Sequence, residues 1–297
     1  MIEATPLADQ PFGVEVTGID FSRNVSDEDI RTVIRLFYEN AIMIIRDQEL
    51  DLDRYERLVG QFGQLHHHLI DHLRLKDNPA VLNLSNIFQN GKPIGGYQGA
   101  SFWHTDVAYE DPGNSATIVH GREWPEGGCP TYFCDTRAAY DALPDGMRKR
   151  IDSLTVLHHY GNRDDLNEDS TTSAEKLQGH QKDQIQNVFH PLVKVHPFTG
   201  RKALYGVAGS SFGIVGMPDD EAIGLLDELK IHALQPQFVA SFDCRPNDLG
   251  AWDTYSTLHK ATTLKPAVGT HDRRLVWRIS VKGYPPLMAN EAVHASV

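Results

Sequence analysis

The sequence predicts a mainly β protein with flanking helices, built on a double-stranded β-helix (jelly-roll) core. Three observations carry this. Apolar runs of strand length recur at 41–45, 79–84, 102–109, 115–121 and 131–135, and again at 192–195, 203–207, 237–241, 248–253 and 274–282. Turn residues punctuate them, as at Pro112-Gly113 and Pro125-Glu126-Gly127-Gly128. Many short strands separated by such turns point to a sandwich or barrel. Helical periodicity gathers instead in the N-terminal third and in a few insertions.

Residues 13–20 (GVEVTGID) alternate as a short strand. Ser26 followed by Asp29 resembles a capping box, with Asp in place of Glu. Ile30, Val33, Ile34, Phe37 and Ala41 then fall at helical spacing, and AIMII at 41–45 reads as a buried strand. Leu52, Tyr55, Leu58, Val59 and Phe62 mark a second amphipathic helix. Helical patterns return at 136–153 and at 218–233, where Leu225, Leu226 and Leu229 are expected inside. Residues 160–190 are polar and lack a sustained period. A stretch that long reads as a lid or insertion on a single domain spanning 1–297.

Composition narrows the function classes. With 40% hydrophobic residues in 297, a proper core is expected. A net charge of -12 disfavours nucleic acid, whose phosphates need a basic face. Cys129, Cys134 and Cys244 form no CxxC pair, which suggests a reducing compartment without disulfides or a zinc knuckle. Met1–Pro6 lacks a signal-peptide pattern, and no stretch has the length of a membrane span. The expectation is a cytoplasmic protein with a small-molecule partner, no membrane and no nucleic acid.

The informative stretch is FWHTDVAY at 102–109. In an extended strand residues i and i+2 share a side, so His104 and Asp106 project together. If buried they need a common partner: solvent, another side chain or a metal ion. His259 closes LGAWDTYSTLH at 249–259. From 274 the chain alternates, with Arg274, Val276, Arg278 and Ser280 on one face and Leu275, Trp277, Ile279 and Val281 on the other. Guanidinium forks on an inner face suit anions, because they bind carboxylates bidentately and stay charged. A His-x-Asp pair, a distant histidine and a later arginine make up a 2-His-1-carboxylate triad with an anion clamp, the arrangement of non-haem Fe(II) oxygenases. A zinc-type hydrolase could use the same triad, though the arginines would then lack a role. A sensor that binds iron or a keto acid without turnover is the reading from another class. The histidines at 66, 67, 68 and 72 read as a solvated loop or substrate contacts, since consecutive residues cannot all converge on one ion.

With these motifs in place, the chain resembles the taurine dioxygenase (TauD/TfdA-like) family of Fe(II)/2-oxoglutarate-dependent dioxygenases. The likeness covers WHTDVAY, EWPEGGCPTYFCD, HPLVKVHPFTGRKALY, WDTYSTLH and RRLVWR, in order along nearly the whole chain. It implies oxidation, most often hydroxylation, of a C–H bond in a small anionic or zwitterionic molecule, with 2-oxoglutarate and O2 consumed and succinate and CO2 released. It implies Fe(2+) held by His104, Asp106 and His259. It implies that Thr131 and Arg274 hold the distal carboxylate of 2-oxoglutarate, and that Arg278 and His68 meet the substrate. Asp71 stands where taurine dioxygenase has a tyrosine; facing the pocket, it would favour a cationic group as well. Enzymes of this kind are often dimers or tetramers, so a homo-oligomer is expected.

Overall fold

The computed structural model describes residues 1–97, 100–160, 177 and 179–292. Most of the lid expected at 160–190 therefore lies outside the described residues; its far flank carries a short helix, Gly179–Lys182, and a strand, Val188–Pro191.

The N-terminal helix, Asp27–Asn40, starts where the capping residues place it. Ser26 Oγ accepts the Asp29 N–H at 3.1 Å and donates to Asp29 Oδ2 at 2.7 Å. Asp27, Glu28 and Asp29 line the first turn, where the helix dipole favours negative charge. Val33, Ile34, Phe37 and Tyr38 form the buried face. Ala41 then turns out of the helix at φ 63, and the strand Ile42–Ile45 follows, buried at every position. A wholly apolar strand is what two covered faces require. Met43 and Ile45 pack with Phe37 and the Leu52–Val59 helix, whereas Ile42 and Ile44 point inward with Phe133, Phe242 and Trp252. Burying one such isoleucine side chain contributes about 1.5–3 kcal/mol.

That strand belongs to the larger sheet, ordered Glu3–Pro6, Val14–Thr17, Ile42–Ile45, Leu249–Asp253, Ala116–Glu123, Leu275–Lys282, Gln64–Leu65, with Leu82–Ser85 also on Leu275–Lys282. All pairs are antiparallel except Val14–Thr17 with Ile42–Ile45. The opposing sheet has Thr131–Asp135 at its centre, flanked by Val239–Phe242 and Thr257–Ala261. Val119, Trp252 and Val276 from the first sheet meet Phe133 and Phe242 from the second, which is the interior of the double-stranded β-helix. Helix Asp219–Ala233 covers the outer face of the smaller sheet, burying Leu225, Leu226 and Leu229 against Cys134 and Leu258.

Several expectations need correction. Residues 102–109 are not a strand. His104 makes an isolated antiparallel bridge to His259, and the chain then turns, with Val107 at φ 54. The helical stretch at 136–153 divides into Thr136–Asp141 and Asp145–Ile151 around Pro144, which has no N–H to continue a helix. Strands at Thr155–His158, Ser211–Ile214 and Thr257–Ala261 were not foreseen, because their apolar alternation is weak. No helix among the described residues is long and apolar enough to cross a membrane. Cys129, Cys134 and Cys244 are all free and buried.

Candidate active site

The inner face of the larger sheet is organised in rows by strand register. Thr117 lies opposite Trp252 on one side and Ser280 on the other. Two residues along the same face, Val119 lies opposite Gly250 and Arg278. Directly facing positions share a face, so each row delivers its side chains to the interior together.

Asp106 reaches this face from the turn after His104. Its Oδ2 accepts the Thr117 hydroxyl at 2.8 Å and the Trp252 indole N–H at 3.1 Å. Its Oδ1 accepts from Arg278 Nη2 at 2.7 Å. Burial alone pushes the Asp106 carboxyl up, but the charge of Arg278, with the neighbouring His259 and the contact with His104, outweighs it and holds the group well below the usual carboxylate range. It is therefore a fixed anion with both oxygens anchored.

The two histidines arrive differently. His104 N–H donates to the His259 carbonyl at 3.0 Å, and His259 N–H returns a bond to the His104 carbonyl at 2.9 Å. The imidazoles consequently lie side by side, with ring centroids 4.2 Å apart. His104 Nδ1 bonds the Phe102 carbonyl at 2.8 Å, which places the proton there and leaves the Nε2 lone pair free. That Nε2 is 3.6 Å from Asp106 Oδ1, and His259 Nε2 is 3.7 Å from Asp106 Oδ2. Burial and the neighbouring His104 lower His259 to about 3, so it is neutral at ordinary pH. Trp252 and Phe133 pack against its ring. Gly209, at φ 82, lies so close to His104 that a Cβ there would come within 2.7 Å of the His104 Cβ. Only glycine fits that turn.

Ligand atoms of His104, Asp106 and His259 lie within 4.8 Å of one another, the one such metal-ligating group among the described residues. Two imidazoles and one ionised carboxylate suit a ferrous ion, with further positions left open for other ligands.

A cavity of about 720 Å³ opens from this cluster. Thr131, Arg274, Trp124, Val119, Phe242 and Cys244 line it. Arg274 lies over the Trp124 ring at 5.4 Å, and its buried Nε has no hydrogen-bond partner among the described residues. An orphaned guanidinium donor beside a threonine fits a carboxylate that completes it. His68, Tyr109 and Arg278 line it too, as do Ile70, Leu73, Phe102 and Tyr97. His68 Nδ1 accepts the Ile70 N–H at 3.1 Å, so the neutral ring carries its proton on Nε2, 3.5 Å from the Tyr109 hydroxyl.

The structure thus brings together His68, His104, Asp106, Thr131, His259, Arg274 and Arg278 on one cavity. It leaves Asp71 out. That carboxylate sits in the 3-10 turn Asp71–Leu73, bonded to His180 Nε2 at 2.9 Å and Gln181 Nε2 at 3.1 Å, and does not line the cavity. Its expected substrate contact is therefore corrected: one turn of 3-10 helix carries it outward. Of the other histidines of that loop, His66 pairs with Glu110 at 3.0 Å. Sequence reading missed Thr117 and Trp252 as anchors of Asp106 and Tyr109 as a cavity residue. Trp252 sits inside a quoted motif, but its indole contact depends on sheet register.

A jelly-roll interior that brings two histidines, a carboxylate and two arginines onto one cavity matches the layout of a non-haem iron oxygenase. The comparisons with known proteins agree. Residues 3–280 match the family described as "Taurine catabolism dioxygenase TauD, TfdA family". An alpha-ketoglutarate-dependent 2,4-dichlorophenoxyacetate dioxygenase of Cupriavidus pinatubonensis is 29% identical, over 84% of this chain and 88% of its own. The (S)-phenoxypropionate/alpha-ketoglutarate-dioxygenase of Sphingobium herbicidovorans is 27% identical, over 95% and 96% respectively. The crystal structure of AAD-2 with Mn(II) and N-oxalylglycine superposes with a TM-score of 0.77 at 25% identity, covering 95% of this chain and 97% of that one. The chain belongs to the TauD/TfdA family and is an Fe(II)/2-oxoglutarate-dependent dioxygenase, an oxidoreductase that acts on small molecules with 2-oxoglutarate and O2.

Proposed function

We propose that this enzyme hydroxylates a small molecule with one anionic head and an apolar body. His104, Asp106 and His259 hold the iron, Thr131 and Arg274 grip the distal carboxylate of 2-oxoglutarate, and Arg278 with His68 receives the substrate's anion. With iron, 2-oxoglutarate and O2 bound, the centre couples release of succinate and CO2 to oxidation of a substrate carbon.

The observation that carries the reading is the charge of the cavity. Asp106 is the one acidic residue among the described residues that line it, against Arg274, Arg278 and Lys182. Asp106 is already committed to Thr117, Trp252 and Arg278. An ammonium group on the substrate would find no uncommitted carboxylate among the described lining residues, so of the anionic and zwitterionic classes the anion is favoured. Arg278 is placed to bind it beside the metal ligands, since one arm of its fork reaches Asp106 at 2.7 Å. His68 adds a neutral N–H, because burial, reinforced by Arg278 and His66, lowers it to about 3. Ile70, Leu73, Leu82 and Phe102 then surround the rest of the molecule with apolar surface. The named substrates of the two relatives, aryloxy carboxylic acids, have this shape. The protein's share of catalysis is placement: the target carbon must be held beside the ion and water excluded. A cytoplasmic site of action fits the three unpaired cysteines.

The test is a succinate-release screen under O2 with Fe(II), over aryloxy acids, alkyl sulfates, small sulfonates and amino-acid derivatives. Turnover concentrated in carboxylates or sulfonates with apolar bodies is the expected result. Selective turnover of amino-acid derivatives, with none for simple anions, would overturn the substrate assignment.

A further inference from the structure

Apart from the Trp124 ring, Arg274 has little side-chain support among the described residues. No carboxylate among the described residues pairs with it, and its Nε is unpartnered. Its position therefore depends on how firmly its own backbone is held. The segment leading to it, 262–274, is short of regular structure, with a single 3-10 turn at Thr270–Asp272.

Tyr97 bonds the Leu264 carbonyl of this segment at 3.1 Å, but Asn86 makes more side-chain bonds to it. Asn86, just past the strand Leu82–Ser85, is 3% exposed and lines the cavity. Its Nδ2 donates to the carbonyls of Lys265 at 3.0 Å and Asp272 at 2.9 Å. Its Oδ1 accepts the Arg274 N–H at 2.7 Å. Its backbone joins in: Asn86 N–H reaches the Arg274 carbonyl at 3.3 Å, and Ala267 N–H reaches the Asn86 carbonyl at 2.9 Å. Next to it, Ser85 Oγ donates to the same Arg274 carbonyl at 2.9 Å. Both amide hydrogens of Asn86 are thus spent on main-chain carbonyls, and its oxygen on a main-chain N–H. It bridges both sides of the segment and clamps the residue whose guanidinium faces the cavity.

We propose that Asn86 is a positioning residue for the 2-oxoglutarate site, with Ser85 as its auxiliary. It sets co-substrate affinity by fixing the backbone of Arg274. The proposal rests on the reading of Arg274 as the carboxylate anchor. Without the Asn86 amide, two carbonyls and one N–H lose their partners and the segment samples more backbone states. Binding must then bear the entropy of re-ordering the arginine. The iron ligands lie outside the clamped segment, so metal affinity is independent of it.

The test is calorimetric titration of Fe(II)-loaded protein with 2-oxoglutarate under argon, with Fe(II) affinity measured separately on metal-free protein. Three variants are compared: Asn86→Ala, Ser85→Ala and Arg274→Gln. The expected result is a 2-oxoglutarate dissociation constant raised about tenfold by Asn86→Ala and a few-fold by Ser85→Ala, with Fe(II) affinity unchanged. Should Asn86→Ala fail to fold, Ser85→Ala decides alone. Raised constants for Arg274→Gln but wild-type constants for Asn86→Ala and Ser85→Ala would overturn the positioning role and leave the anchor standing. Wild-type affinity in Arg274→Gln would remove the anchor, and the positioning role with it. Parallel loss of Fe(II) and 2-oxoglutarate affinity in Asn86→Ala would show general disruption and overturn the proposal.

Discussion

His104 and His259 face each other across a single antiparallel bridge, each giving its N–H to the other's carbonyl, at 3.0 and 2.9 Å. In an antiparallel pair, residues joined by two reciprocal bonds put their side chains on the same face. Backbone pairing therefore brings the two imidazoles together before any ion binds. The third member of the proposed ligand set, Asp106, is held separately by Thr117, Trp252 and Arg278.

Loss of either imidazole is expected to abolish tight Fe(II) binding while leaving the fold intact, because the bridge is made by backbone atoms. Equilibrium metal binding and thermal unfolding of His104→Ala and His259→Ala check this. Wild-type Fe(II) affinity in either variant would overturn the ligand assignment.

Trp252→Phe removes the indole N–H from Asp106 Oδ2 while keeping most of the ring packing on His259. Outer hydrogen bonds to metal ligands are typically worth about 10–100-fold in metal affinity or activity. A fall in Fe(II) affinity of that order is expected, and Thr117→Val should behave alike. No change in either variant would mean that the carboxylate is aimed by other contacts.

Arg278→Lys keeps the charge but loses the planar fork. Substrate KM is expected to rise about 10–100-fold, the scale of a lost hydrogen bond to a charged group, with a much smaller change in 2-oxoglutarate KM. Steady-state kinetics with each substrate varied in turn read the two effects apart. A rise confined to 2-oxoglutarate would reverse the roles given to Arg274 and Arg278.

Acid should weaken the metal-free protein through its buried histidines. Burial, then Arg278 and His66, lowers His68 from 6.5 to about 3. Between those values the unfolded chain holds the extra proton and the folded one does not, so stability falls as pH drops through that window. Thermal midpoints followed downward from pH 7 are expected to decline, and to decline less steeply in His68→Gln. Parallel slopes for the two proteins would refute the assignment.

Phe37 is fully buried between the N-terminal helix and the larger sheet, with Phe62 edge-on at 5.7 Å. Phe37→Ala is expected to cost about 3–5 kcal/mol. Urea unfolding measures it; a loss under about 1 kcal/mol would mean that the site collapses to fill the gap.

Local chemistry was enough to locate much of this protein from its residues. The cap at Ser26 works through atoms three residues apart, and the apolar run AIMII suits a strand covered on both faces, which Ile42–Ile45 forms. The alternation after Arg274 orders Arg274, Val276 and Arg278 onto one side because a strand has period two. The residue types of the metal site were legible for a related reason: His-x-Asp, a distant histidine and spaced arginines are groups whose burial needs an ion or anion to justify it. What tertiary structure decided is the way they meet. His104 and Asp106 converge through a bridge and a turn at Val107, not through the alternation of a strand, and no local pattern encodes a positive φ at a valine. Thr117, Trp252 and Ser280 become neighbours only through sheet register. Asp71 turns outward, and Asn86 reaches Arg274, through contacts spanning 109 and 188 residues of chain. Pairing across such separations depends on how sheets stack and loops close, a property of the whole fold that short-range sequence patterns do not carry.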